Sequence, residues 1–320
     1  MATYRIKHIT RYSYPSTVID CANQVMLYPI HDALQQVKKH ELKISSDPDI
    51  EEYTDYFGNT VGIFTVLKPV NEIVIQSEIE VETKEMLINE EPSNAAEKWK
   101  KLTEMRERFP YMDFLTNENF ESACEVKATA DSLFSFDLSP FENAQAFSKY
   151  VFDHFEYQKG VTSVETKLDE VWKLKAGVCQ DFAHILLVML RMVGIPARYV
   201  SGYICPKNQE LRGEGATHAW VEVPIPTVGW VGIDPTNNCI VNDRHVRLAV
   251  GRNFSDCTPA KGTYKGSSEH TLEVSVSIEN GHIKSAEEIA AGPAVFSYQT
   301  KNPGVDQNSY RRYMEIQQQQ

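Results

Sequence analysis

The chain has 320 residues, 42% of them hydrophobic and 24% charged, with a formal net charge of −12. That length accommodates two domains, or one large domain with an added module, and enough apolar residues for a dry core. The acidic balance argues against nucleic acid as a partner, because binding phosphates needs clustered Lys and Arg.

No apolar run reaches the roughly 18 residues of a membrane span, and Met1-Ala2-Thr3-Tyr4-Arg5-Ile6-Lys7-His8 lacks the apolar stretch of an export signal. The expectation is a cytoplasmic protein with no membrane partner. Six cysteines, Cys21, Cys124, Cys179, Cys205, Cys239 and Cys257, are scattered along the chain. They predict no disulfide framework, and no Cys or His pair has zinc-ligand spacing. Neither a metal nor a cofactor is expected.

The N-terminal stretch reads as strands. Tyr4, Ile6 and His8, then Tyr12 and Tyr14, repeat with a period of two. Gly58-Asn59 marks a hairpin-like turn after Asp55-Tyr56-Phe57, and Val61 to Leu67 follows as an apolar strand. Ile73, Ile75, Ile79 and Val81 alternate again. Residues 1–88 are therefore expected to be a β-sandwich module.

Composition changes at Glu90-Glu91-Pro92-Ser93. Residues 89–139 read as a helical connector, with a helix from Asn94 to Arg108 capped by Ser93 or Asn94. A further helix is expected near Pro140, with Ala144, Phe147 and Val151 on one face. Leu168 to Leu174 reads as a short helix. From Val178, apolar residues on almost every side predict a buried helix ending at Gly194-Ile195-Pro196. Strands are predicted over Ala197 to Tyr203, Thr217 to Val223, Val228 to Asp234 and Leu272 to Ile278. These belong to a core placed at 140–285, followed by a polar tail over 286–320, with Lys301 to Gln320 expected to be poorly ordered.

The chemistry concentrates in three residues. Cys179 opens the buried helix, where free backbone N–H groups and the helix dipole stabilise a thiolate. The same N–H groups can hold the oxyanion formed when a carbonyl is attacked. Gly177 lets the chain turn into the helix and leaves space for substrate. Taken alone, a cysteine beside an apolar helix reads as a small buried hydrophobe; partners decide otherwise. The period of two puts His218, Trp220 and Glu222 on one strand face, and Trp230, Gly232 and Asp234 on one face of the next. Residues 218 and 234 are equidistant from position 226. A hairpin centred there sets His218 opposite Asp234, with Cβ atoms roughly 4.5–5.5 Å apart, and Gly232 opposite Trp220. Nucleophile, base and orienting carboxylate are then all present.

Asp181 and His184 fall at other positions on the helix of Cys179, and His184 reads as a packed structural histidine. Trp220 suits either shielding of the His218–Asp234 pair or simple core packing. Tyr157 is a possible oxyanion donor whose position is not legible from the sequence.

Four strings carry a resemblance: Ala176-Gly177-Val178-Cys179-Gln180-Asp181-Phe182-Ala183-His184, Gly194-Ile195-Pro196-Ala197-Arg198-Tyr199, Thr217-His218-Ala219-Trp220-Val221-Glu222 and Gly229-Trp230-Val231-Gly232-Ile233-Asp234-Pro235-Thr236. Together they resemble the transglutaminase-like family. Asp55 to Asn59 and Leu27-Tyr28-Pro29 are similar to the N-terminal region of its bacterial members. Asp243-Arg244-His245-Val246 is similar to the segment that follows their core. The resemblance implies an α+β protein in which an N-terminal β-sandwich module accompanies a papain-like, transglutaminase-like catalytic core. It also implies thiol chemistry on an amide or acyl bond of a protein or peptide substrate. Hydrolysis as a peptidase or amidase is the leading expectation. Transfer of a glutamine acyl group to a primary amine, and a non-catalytic binding role on a silent core, are the alternatives.

Overall fold

The computed structural model describes residues 1–88, 93–163, 166–206, 211–213, 215–266 and 270–280, and the backbone of 294–300. In chain order the first elements are strands β1 (Ala2–Val25), β2 (Gln35–Ile44), β3 (Ile50–Thr54), β4 (Thr60–Val66) and β5 (Val70–Thr83). Helices α1 (Ala95–Arg106), α2 (Ala123–Leu133) and α3 (Pro140–His154) follow. Next come β6 (Glu156–Tyr157), α4 (Leu168–Leu174), β7 (Ala176–Gly177) and α5 (Cys179–Met192). The chain continues through β8 (Arg198–Ile204), β9 (Ala216–Ile225), β10 (Gly229–Asp234), β11 (Cys239–Ile240) and β12 (His245–Gly251). It ends in β13 (Ala260–Lys265), β14 (His270–Asn280) and β15 (Ala294–Thr300). This is a mixed helix-and-strand protein divided into two units.

The first unit comprises residues 1–83, 246–249 and 258–320. Its sheet is organised on β1, which pairs antiparallel with β5 on one edge and with β14 on the other. Along β1, Tyr4, Ile6, His8, Thr10, Tyr12 and Tyr14 are buried, and β5 answers with Ile73, Ile75, Ser77, Ile79 and Val81. The opposite face is charged: Arg5 meets Glu80 at 3.2 Å and Lys7 meets Glu78 at 3.6 Å. The alternation read in the sequence is thus the two-sidedness of the sheet. The β3–β4 hairpin turns where expected. Asp55 accepts hydrogen bonds from the N–H groups of Phe57 (2.9 Å) and Asn59 (2.8 Å), and Gly58 takes φ +86°.

Two features go beyond the expectation. Eight strands form one curled, hydrogen-bonded sheet, because β1 runs through both halves of it. The register breaks between Ser13 and Val18, where Pro15 supplies no N–H to the ladder. Beyond the break, β1 pairs with β4 and β13. Secondly, the core does not run to residue 285 as one block. β13, β14 and β15 belong to the first unit, and β15 lies inside the segment expected to be tail. A long apolar strand has two hydrogen-bonding edges, and β14 satisfies the second one from Tyr4↔Asn280 to Ser13↔Thr271. Residues 286–293 and 301–320, the rest of that tail, lie outside the described residues.

The second unit spans residues 84–245 and 250–257, so the helical connector groups with the core. α3 begins with a capping box: Ser139 Oγ accepts the N–H of Glu142 at 3.2 Å, and the N–H of Ser139 donates to Glu142 Oε2 at 2.7 Å. α5 is buried along most of its length, including Phe182, Ile185, Leu186, Met189 and Leu190. It stops as the sequence predicts. Gly194 takes φ +79°, and the N–H of Ile195 donates to the carbonyl of Leu190 at 3.0 Å. A five-stranded sheet in the order β11-β10-β9-β8-β12 accompanies α5. Among the described residues, no helix is long and apolar enough to cross a membrane.

Candidate active site

Cys179 is the first residue of α5, and Val178 before it is extended, with φ −115° and ψ −177°. Three links hold this turn. Parallel pairing of β6 with β7 sets Tyr157 beside Gly177, and the N–H of Gln158 donates to the Gly177 carbonyl at 2.9 Å. Asp181 Oδ2 then accepts the Val178 N–H at 2.8 Å and the Thr162 hydroxyl at 2.7 Å. A side chain at Gly177 would run into Asp181, so only glycine fits there. Cys179 itself is partly exposed.

His218 lies in β9 and Asp234 ends β10. Their register differs from the expected one. Gly232 pairs with Glu222 and Ile233 with Val221, so the hairpin is centred on position 227. The cause is the connection: Thr227 and Gly229 adopt φ +75° and +106°, and three residues separate the paired Ile225 and Gly229. Moving the centre by one residue shifts pairing by two, which preserves the face of every side chain. His218 and Asp234 meet as diagonal neighbours, with His218 Nε2 2.8 Å from Asp234 Oδ2 and both side chains fully buried. Gly232 leaves space for Val241, not for the Trp220 indole.

The carboxylate of Asp234 is held from all sides. Oδ1 accepts the N–H of Thr236 at 2.9 Å, and Oδ2 accepts from Asn237 Nδ2 at 2.7 Å as well as from His218. Burial alone would push this carboxyl up. The His218 imidazole and the hydrogen bonds outweigh burial and hold it far below the carboxylate range. Burial likewise disfavours a charged His218, but Asp234 and the sulfur of Cys179 overrule it and raise the imidazole to about 10. With Nε2 occupied by Asp234, Nδ1 remains for the thiol: it is buried and has no fully formed hydrogen bond. Gly213 passes close to this nitrogen: a Cβ there would lie 3.2 Å from Nδ1 and 3.5 Å from the hydroxyl of Tyr157.

Residues weighed in the sequence now have places. His184 accepts the N–H of Phe254 at 3.1 Å, and burial lowers it to about 4, in keeping with a packing role. Trp220 is fully buried beside the rings of His218 and His245, at centroid distances of 6.3 and 5.2 Å. Tyr157, unplaceable from sequence, pairs with Gly177 in β7, two residues before Cys179, and neighbours Gly213. Asn237 and His245 were not singled out for the site. Asn237 sits in the turn after Asp234, where an Asn three residues beyond a carboxylate is a usable signal. His245 lies in the Asp243-Arg244-His245-Val246 string that carries part of the resemblance, but that string by itself points to no contact with Asp234.

Ring nitrogens of His218 and His245 and an oxygen of Asp234 lie within 4.8 Å of one another, the spacing of a metal-ligand set. Here protons fill it. The N–H of Asn242 donates to His245 Nδ1 at 3.4 Å, which leaves the hydrogen on Nε2, facing Asp234 Oδ2 at 3.4 Å. A protonated nitrogen has no lone pair for a cation.

Comparison with known proteins gives this geometry its setting. Residues 127–235 match the transglutaminase-like superfamily, and residues 4–82 match the bacterial transglutaminase-like N-terminal region. The chain belongs to the transglutaminase-like superfamily. An uncharacterised protein from Mycobacterium leprae is 31% identical over 278 residues, covering 86% of this chain and 97% of that protein. Another, from Mycobacterium tuberculosis, is 28% identical over 308 residues, with 86% and 92% covered. The protein-glutamine gamma-glutamyltransferase of Pseudomonas aeruginosa is 37% identical over 76 residues, 21% of this chain and 11% of that protein. Among solved structures, a candidate cysteine protease from Cytophaga hutchinsonii superposes with a TM-score of 0.69 at 19% identity, covering 89% and 92% of the two chains. At that identity the likeness speaks for the transglutaminase-like, papain-like fold alone.

Proposed function

We propose that the protein is a cysteine-dependent amide-bond hydrolase, a peptidase or amidase acting on a protein or peptide substrate. Cys179 is the nucleophile, His218 the general base and acid, and Asp234 the orienting carboxylate. The observation that carries this reading is the 2.8 Å bond from His218 Nε2 to Asp234 Oδ2, which leaves Nδ1 for the thiol.

In the first step Nδ1 takes the thiol proton and the sulfur attacks the amide carbonyl. The negative oxygen of the tetrahedral intermediate is stabilised by N–H groups at the start of α5, which have no partner within the helix. Collapse breaks the C–N bond, and the imidazolium returns its proton to the departing amine. The product is a thioester on Cys179. Water, deprotonated by the same imidazole, hydrolyses it and frees the thiol. Asp234 keeps Nε2 protonated and supports the charged ring throughout.

The test is iodoacetamide alkylation followed across pH, with labelled sites located by mass spectrometry. Rapid, selective labelling of Cys179 that disappears in His218→Ala supports a working pair. Labelling of Cys179 no faster than of exposed Cys124 counts against it and favours a binding role on a silent core. A glutamine-containing peptide then separates the chemistries: release of ammonia alone supports hydrolysis, whereas incorporation of a primary amine points to acyl transfer.

A further inference from the structure

Asp234 Oδ2 accepts hydrogen bonds from three side chains: His218 and Asn237 at 2.8 and 2.7 Å, and His245 at 3.4 Å. The first belongs to the proposed chemistry, and the second to the turn that follows β10. The third comes from β12 and has no assigned purpose. Burying an imidazole costs free energy unless both its nitrogens are satisfied. Both are satisfied here: Nδ1 accepts from the Asn242 backbone, and Nε2 faces the carboxylate. The ring is locked edge-on against Trp220, with centroids 5.2 Å apart and planes at 78°. An apolar side chain of this size would fill the space without that cost, so its polarity serves Asp234.

We propose that His245 is a positioning residue for His218, sharing Oδ2 of Asp234 with it and limiting how firmly the carboxylate binds the imidazolium. The inference rests on the reading of Cys179, His218 and Asp234 as a working triad. Every hydrogen bond accepted by Asp234 draws charge from the oxygen that faces His218. A carboxylate shared with fewer donors stabilises the imidazolium more strongly. His218 then parts with its proton less readily, which slows protonation of the leaving amine. The donor works best if it stays uncharged, because a second cation would repel the imidazolium. Burial keeps His245 neutral by lowering its affinity for a proton, and His218 and Arg244 add to that against the opposing pull of Asp234. The titratable groups bearing on the assembly are Cys179 and Asp234 around His218, His218, Asp234 and Arg244 around His245, and Cys239 beside Asp234.

The test follows the His218 ring by NMR in 13C-histidine-labelled protein, for the wild type, His245→Phe and His245→Gln. Phenylalanine keeps the packing on Trp220 and removes the donor, so the His218 midpoint is expected to rise by about half a unit to one unit. Glutamine can place an amide N–H near the position of Nε2 and is expected to restore the midpoint to within about 0.3 units. An unmoved midpoint in folded His245→Phe, checked by circular dichroism and melting temperature, overturns the proposal. Should that variant not fold, His245→Asn, whose amide falls short of Oδ2, is read in the same way. The NMR midpoint needs no turnover. A wild type in which Cys179 is unreactive sinks the triad reading, whereas a reactive Cys179 with an unmoved midpoint sinks only the role of His245.

Discussion

Arg198 and Glu222 face each other directly across β8 and β9 and close an ion pair with nitrogen–oxygen distances of 2.7 and 2.8 Å. The pair lies on the face of β9 that carries His218, and the guanidinium covers Trp230 at 4.3 Å from the ring centroid. Glu222 is almost fully buried. Removing its partner strands a charge, which costs about 3 kcal/mol or more. Arg198→Met is therefore expected to lower stability by roughly that amount in urea unfolding. Arg198→Met with Glu222→Leu should recover most of the loss, since it is the unpaired carboxylate that destabilises.

Asp181 sets the turn before Cys179. Burial raises its carboxyl, against the pull of the Thr162 hydroxyl and the Val178 N–H. The native protein thus holds this proton more tightly than the unfolded chain does. Its contribution to stability is fully present below the ordinary value of 3.8 and is lost as pH rises through the folded value. Asp181→Asn, whose amide oxygen still accepts both hydrogen bonds, should match the wild type at low pH and equal or exceed it at neutral pH. Asp181→Ala leaves a buried N–H unpaired, costs about 1–3 kcal/mol, and should erode the selective alkylation of Cys179. Melting temperatures at several pH values, with alkylation rates, check both.

Gly213 adopts φ +81°, a conformation that costs an L-residue about 1–2 kcal/mol. Its missing Cβ would stand 3.2 Å from His218 Nδ1. Gly213→Ala is expected to lose that much stability and to slow Cys179 alkylation several-fold by crowding the proton-accepting nitrogen. A variant that melts lower yet reacts at the wild-type rate would show that the segment does not bear on the base.

Asp234→Asn removes the charge that raises His218 to about 10. Turnover is expected to fall by roughly two to four orders of magnitude. The pH dependence of stability should change as well. In the wild type, the contribution of His218 is full below its ordinary value of 6.5 and is lost as pH rises through about 10. That of Asp234 is present above 3.8 and is lost as pH falls toward its depressed value. Stability measured from pH 3 to 11 should show both limbs in the wild type and flatter limbs in the variant.

Local chemistry is what the sequence by itself determined. The alternation of Tyr4, Ile6 and His8, the helix starting near Pro140, the Gly194 stop and the opening of α5 at Cys179 each depend on neighbours a few residues away. Such features are legible because backbone geometry repeats every two or 3.6 residues. Strand parity also placed His218 and Asp234 on compatible faces, and parity withstood the wrong register because a one-residue shift of the hairpin centre moves pairing by two.

The tertiary structure alone decided which distant segments complete each assembly. β14 joins β1 although Tyr4 and Asn280 stand at opposite ends of the described chain, so residues read as core and tail belong to the N-terminal sheet. The turn at Thr227 and Gly229 chose the diagonal pairing of His218 and Asp234. His245 reaches Asp234 from β12, a strand whose own sequence carries no sign of the contact. Strand edges and buried carboxylates must be satisfied by some group, but that demand does not specify where along the chain the group comes from. Only packing the whole chain at once identifies it.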